Sequence, residues 1–310
     1  MSRYFWIKPK DTVNPMYSTE VNALISLIED PDESIYIQVR NELKNYGEQI
    51  IPQLEYYWEL HDFGPLFRQR LEELIASIQY DSVYYRLKEW KSSPEQDLLE
   101  GALIINRYAY PGCDEEDLKR RVQRIRQDIW LELNDHLTAV EVVRVFNHML
   151  FKEHGFMGER DHYDQPQNSY FSDLLTTHRG NPLSLSILYA HLAKSLDIPI
   201  YGVNLPSHFI LCYLDFEPEA KEWGMTEDEA DVLFYINPFS DGTMLQKTEI
   251  DEFLKSQNLP QDDRFYRPCS NKDMISRMIN NLIHSYIAKN QQEKVSELKT
   301  LQSILLESED

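Results

Sequence analysis

Apolar residues recur at intervals of three and four along most of this chain and turn to intervals of two between about Ile198 and Phe239. The first spacing lays a stripe along one face of a helix, and the second sends alternate side chains to opposite faces of a strand. From Val21 to about Trp90, the runs VNALISLIED, PDESIYIQVRNELKNYGEQIIPQLEYYWEL and PLFRQRLEELIASIQYDSVYYRLKEW keep the helical period and break at Asp-Pro, Tyr-Gly and Phe-Gly-Pro, which predicts paired helices. DLLEGALIINRYAYPG predicts a helix stopped by Pro111-Gly112, DEEDLKRRVQRIRQDIWLELN a long helix with an acidic first turn, and TAVEVVRVFNHMLFKEHGF a helix capped by Thr138. ERDHYDQPQNSY then predicts a polar loop.

The most informative stretch is THRGNPLSLSILYAHLAKSLDIPIYGVNLPSH. Asn181 is a good N-cap, and Pro182 suits the first helical position, where its missing N–H costs nothing. Leu183, Leu185, Ile187, Leu188, Leu192 and Leu196 surround most of the helix, which predicts that it is buried. IPIYGVNL, SHFILCYLD and VLFYINPF then predict three strands, the second with His208, Ile210 and Cys212 on one face. The acidic connection EPEAKEWGMTEDEAD predicts a surface excursion. An antiparallel pairing about Glu222-Trp223 would put His208 opposite Asn237.

Charge narrows the function classes. With 31 Lys plus Arg against 52 Asp plus Glu, the 310-residue chain carries a formal charge of −21, which repels nucleic-acid phosphates and anionic lipids. The one basic run, KRRVQRIR from Lys119 to Arg126, sits at helical spacing beside Glu115, Glu116 and Asp117 and is expected to be a solvated face. No apolar run reaches the roughly 18 residues of a membrane span, and MSRYFWIKPKD lacks the apolar core of a signal peptide. A cytoplasmic location without membrane or nucleic-acid partners is therefore expected. Cys113, Cys212 and Cys269 show no C-x-x-C spacing and imply neither a disulfide framework nor a structural zinc site.

The composition of 42% hydrophobic residues supports ordinary packed cores. Residues 25 to 54, with Asp30-Pro31-Asp32 at a turn, Val39-Arg40 in the next helix and Gly47 before Ile51-Pro52, resemble a HEAT-type repeat. That likeness implies either an interaction surface or a plain helical extension, because such helix pairs bury their faces on neighbours. A hinge is expected near Lys91-Ser92-Ser93-Pro94, and the division is a helical region 1–94, a core 95–268 and a helical tail 269–310.

Two sets of residues raise the question of chemistry. His148, His154, Asp161, His162 and Asp164 offer metal-ligand side chains, but none repeats a spacing such as H-x-x-x-H, and a solvated loop of turn-forming residues is favoured. No metal and no cofactor are assigned. The second set carries a family resemblance. NSYFSDLLTTHRGNPLSLSILYAHLAKSLDIPIYGVNLPSHFILCY followed by INPFSDG resembles the SirB-type branch of the transglutaminase-like superfamily, with its N-S-Y-L…R-x-G-x-P-x-S-L helix entry, V-x-x-P-x-H-F strand and D-P-F-x-x-G strand end. The likeness runs from about Asp97 to Leu245, and MISRMINNLIHSYIAKNQQEKVSELKTLQSIL is similar to the tetratricopeptide-like helices that follow in that branch.

The resemblance implies an α+β, predominantly helical fold with a papain-like core and a small antiparallel sheet. It also implies a Cys-His-Asp triad with the nucleophile at the mouth of the central helix, where the dipole and free N–H groups activate a thiol. Carried over by position, the His falls on His208, the Asp on Asn237 and the Cys on Pro182, give or take one residue. Proline has no nucleophilic atom and removes an N–H from the helix mouth, whereas an Asn can still orient a histidine. Ser184 is the remaining candidate nucleophile, Ser186 should point elsewhere, and Cys212 lies four residues along the strand from His208. Arg179 suits a carboxylate ligand or an ion pair with Asp173 or Glu153, and the ion pair is favoured. A non-catalytic core that binds a protein or peptide through Arg179, Asn181, His208 and Asn237 is the leading expectation. Its alternatives are a hydrolase or transferase using His208 with a non-cysteine nucleophile, and a metal-binding regulator built on His148, His154 and His162.

Overall fold

The computed structural model describes residues 19–59, 64–215 and 230–307. The acidic excursion expected over EPEAKEWGMTEDEAD falls almost wholly outside the described residues. The chain divides into two compact units, Met1–Arg86 with Arg107–Gly112, and Leu87–Asn106 with Cys113–Asp310.

The first unit contains α1 (Thr19–Ser26), α2 (Glu33–Asn45), α3 (Ile51–Glu59) and most of α4 (Pro65–Ser92). Asp32 caps α2 by accepting the Ser34 N–H at 2.8 Å, and Gly47 takes a φ of +63° where the chain leaves α2, a conformation a Cβ disfavours. Ile25, Ile28, Leu43, Ile50, Leu54, Phe67 and Leu71 form its core. Arg70 crosses the turn after α1: its guanidinium donates to the Ile28 and Asp30 carbonyls at 2.9 and 2.8 Å, pairs with Glu33 at 2.7 Å and lies 4.0 Å over the Tyr36 ring.

The second unit begins with α5 (Leu98–Ala109), α6 (Glu115–Glu132) and α7 (Ala139–Asn147), the last capped by Thr138 and Glu141 in a reciprocal box and continued by a π-helical turn over His148–Glu153. The expected hinge at 91–94 is a tied connection: Trp90 Nε1 donates to the Asp97 carbonyl at 2.7 Å, Gln96 to the Lys91 carbonyl at 2.7 Å, and Lys91 Nζ to the Glu307 carbonyl at 2.8 Å. The basic run on α6 is likewise more than a solvated face. Lys119 and Arg120 pair with acidic neighbours, but Arg121 donates to the Leu175 carbonyl and Arg126 to the Ser195 carbonyl. Both carbonyls lie at helix C-terminal ends, where a cation offsets the negative end of the dipole.

Next come β1 (Met157–Gly158), α8 (Phe171–Thr177), β2 (Arg179–Gly180) and α9 (Pro182–Lys194), with β1 and β2 forming a short parallel pair. A second sheet runs β3 (Ile200–Val203), β4 (Ile210–Leu214), β5 (Val232–Asn237) and β6 (Thr243–Leu245), antiparallel throughout and in that order. The chain ends in α10 (Lys247–Ser256), α11 (Asn271–Ala288) and α12 (Gln292–Leu306).

As its largely apolar circumference requires, α9 is the core: every residue from Pro182 to Ala190 is buried, as are Leu192 and Ala193. It packs on β3 and β4. The opposite sheet face, with Ile210, Cys212 and Leu214, packs on Ile250 and Leu254 of α10. A fully covered strand explains why β4 is buried at four of its five residues. The register differs from the symmetric pairing expected of the sequence. Leu211 sits opposite Ile236 and Cys212 opposite Tyr235, so Asn237 falls opposite Ile210, one same-face position along from His208. The pairing is irregular between Tyr213 and Leu214, where the register shifts, and an even pairing about one midpoint contains no such shift.

Candidate functional site

The mouth of α9 is built by reciprocal hydrogen bonds. Asn181 Oδ1 accepts the Ser184 N–H at 2.8 Å, and Ser184 Oγ accepts the Asn181 N–H at 3.0 Å, a capping box that satisfies two otherwise orphaned donors. The Asn181 amide also donates to Ser169 Oγ at 2.9 Å, and the Ser184 hydroxyl donates to the Asn168 carbonyl at 2.7 Å. Asn168 in turn donates to the His162 and Tyr163 carbonyls at 2.6 and 3.1 Å. The segment expected to be a solvated polar loop is therefore partly folded under the helix mouth: Glu159, Asn168 and Ser169 are buried, while Asp161, His162 and Asp164 stay exposed. Pro182 occupies the first helical position and is itself buried. It contributes neither a nucleophile nor an N–H.

His208 and Asn237 meet across the strand ends, with Nε2 3.3 Å from Asn237 Oδ1. A carbonyl oxygen only accepts, so the contact is a hydrogen bond when the imidazole carries a proton on Nε2. The Asn237 amide donates onward to Ser240 Oγ at 3.4 Å. Phe239 and Phe253 flank the imidazole at 6.4 and 6.2 Å between ring centroids. Burial among them lowers the His208 pKa, the hydrogen bond to Asn237 works in the opposite direction, and the charge of Arg277 adds to the lowering. An imidazole NMR titration is expected to place His208 below the usual value of about 6.5, and lower still in Asn237→Ala. The folded protein then binds this proton less tightly than the unfolded chain, so the group's contribution to stability is complete above about pH 6.5 and is lost as pH falls through the folded pKa. A midpoint above 6.5 would contradict this arrangement.

The other sequence candidates fall elsewhere. Arg179 is half-exposed and pairs with Glu159 at 3.4 Å, because the β1–β2 pairing sets residue 179 beside 157 and brings Glu159 within reach. Ser186 donates to the Pro182 carbonyl at 2.7 Å inside the core. His148 faces Glu153 at 3.3 Å and His154 faces Asp128 at 3.1 Å. Among the described residues no three His, Cys, Asp or Glu side chains gather into a site able to hold an ion. Cys212 is buried and its pKa pushed well up by that burial, and Cys269 is pushed up to about 12 for the same reason. Both therefore remain thiols at neutral pH.

Beside the helix mouth is a cleft of about 440 Å³, lined by Tyr163, Ser169, Asn181, Ser207 and, from α11, Arg277 and Asn281 among others. The sequence predicts α11 only as part of a helical tail, and its contribution to a cleft is a finding of the structure. Its signal was a polar stripe, Arg277, Asn280, Asn281, His284 and Ser285, at intervals of three and four on a helix whose other face is apolar.

The family described as "Transglutaminase-like superfamily" matches residues 116–280, just over half of the chain. A UPF0162 protein of Xylella fastidiosa is 25% identical over 205 residues, covering 64% of this chain and 68% of that protein. F-box only protein 21 of Mus musculus is 26% identical over 236 residues, covering 68% of this chain but 36% of that protein. A Pseudomonas aeruginosa UPF0162 protein is 32% identical over 114 residues, covering 37% of this chain and 42% of that protein. No solved structure matches the chain.

Proposed function

This chain belongs to the transglutaminase-like superfamily, and from that premise we propose that it is a non-catalytic member whose core binds a protein or peptide partner. The observation that carries the reading is Pro182, buried at the first position of α9, where the resemblance implies that the family's thiol nucleophile would stand. The dipole of α9 still points there, but it meets a group that can neither attack nor donate. The local substitutes are committed elsewhere. Ser184 accepts from Asn181 and donates to Asn168, Ser186 bonds back to Pro182, Cys212 is a buried thiol, and Cys269 is a half-buried one whose pKa is likewise raised.

His208 and Asn237 then serve as a fixed polar edge rather than as a base and its orienter. The likeness to F-box only protein 21, in which the matched portion is about a third of the protein, supports a core that acts alongside other segments. The helix pairs of the first unit supply the interaction surface that their HEAT-like pattern suggests, and the reading places the protein in the cytoplasm. The assay is incubation of the full chain with thiol-reactive probes and with acyl and amide donors, for which no turnover is expected. Turnover that His208→Ala abolishes would overturn the reading.

A further inference from the structure

We propose that the cleft between the mouth of α9 and the polar stripe of α11 takes a ligand ending in a carboxylate, which Arg277 receives. The proposal rests on the binding role argued above and specifies the ligand's chemistry. Arg277 is the cation among the lining residues, and it is already fixed in place. Its Nη1 donates to Asn204 Oδ1 at 3.0 Å and to the Leu205 carbonyl at 3.4 Å, both in the turn that leads to His208.

A guanidinium carries five N–H donors, and these two bonds engage a single nitrogen, so the Nε–Nη2 edge remains for a second partner. Among the described residues no carboxylate pairs with Arg277. A partly buried cation without a counter-charge carries a desolvation cost that an incoming anion would offset, and the Nε–Nη2 edge matches a planar carboxylate through two parallel bonds.

The remaining lining argues for a singly charged ligand. Asn280, Asn281, Asn181, Ser169 and Ser207 offer neutral donors and acceptors, while exposed Asp164 stands at the same cleft. With Arg277 the one permanently charged cation of the lining, beside the titratable His284, and a chain charge of −21, a singly charged carboxylate is matched better than a dianionic phosphate. The amides and hydroxyls suit the peptide groups or polar atoms next to a terminal carboxylate. Two sources share that chemistry: the C-terminus of a peptide and a free small acid.

The test is binding of the full chain, followed by ligand-observed NMR, to a library of N-acetylated tripeptides with free C-terminal carboxylates and to the same library with C-terminal amides. The free acids are expected to bind at least about tenfold more tightly than the amides, and Arg277→Gln is expected to abolish the difference. Acetate in millimolar excess separates the sources: peptide acids that resist displacement identify a peptide terminus, and full displacement identifies a small acid. Because the comparison of acid with amide is made on the unaltered protein, it stands even if Arg277→Gln disturbs the turn at Asn204. Equal binding of both libraries, or an acid preference that survives Arg277→Gln in a folded variant, would overturn the carboxylate and leave peptide binding intact. Absence of binding by either library would remove both. Turnover in the activity assay would remove only the non-catalytic reading.

Discussion

Gly242→Ala is expected to destabilise the second unit by about 3 kcal/mol. Gly242 has a φ of +71°, and placing a Cβ in this left-handed region costs roughly 1 to 2 kcal/mol. The larger consequence is steric: a Cβ there would lie on the side-chain amide of Asn147. That amide is a junction, donating from Nδ2 to the Gly242 carbonyl at 2.7 Å and accepting on Oδ1 the hydroxyl of Tyr189 at 3.2 Å. Tyr189 is fully buried in α9, stacked on Phe146 at 5.0 Å. Displacing Asn147 leaves the Tyr189 hydroxyl without an acceptor in the core, which costs roughly 1 to 3 kcal/mol.

Urea or thermal unfolding of Gly242→Ala, Asn147→Ala and the double variant checks the mechanism. The double variant should be less destabilised than the sum of the two singles, since removing the Asn147 side chain frees the space the new methyl needs. Strict additivity would mean that the two residues do not meet as described.

This network also illustrates what the sequence could and could not disclose. The apolar circumference of α9 is a local property, readable from Leu183 to Leu196, and so its burial and its cap at Asn181 were legible. The pairing of His208 with Asn237 was legible as proximity, because both lie at the near ends of adjacent strands. The register was not, since the shift between Tyr213 and Leu214 leaves no mark on the alternation of apolar and polar residues. Arg277 was hidden for a different reason: a polar stripe on a terminal helix looks like solvent exposure until tertiary structure sets a cleft before it. Glu159 as the partner of Arg179 was equally out of reach, because it follows from a two-residue parallel pairing with no periodic signal of its own.

Asn181→Ala is expected to cost about 2 to 3 kcal/mol, and Ser184→Ala about 1 to 2. Asn181 is buried, and its side chain makes the N-cap bond to the Ser184 N–H and a second bond to Ser169. Losing an N-cap acceptor typically costs about 1 kcal/mol and up to about 2, and Ser169 loses its donor besides. In Ser184→Ala the Asn181 N–H keeps a longer bond to the Asn168 carbonyl at 3.3 Å, which softens the loss. Thermal melts should rank the two variants in that order, both below the parent. The ranking bears on function, because a hydroxyl held between one donor and one acceptor inside a helix cap is not free to attack a substrate. If Ser184→Ala melted with the parent while a hydrolytic or transfer activity fell, the hydroxyl would be available for chemistry. The covalent alternative would then replace the binding role proposed for the α9 mouth.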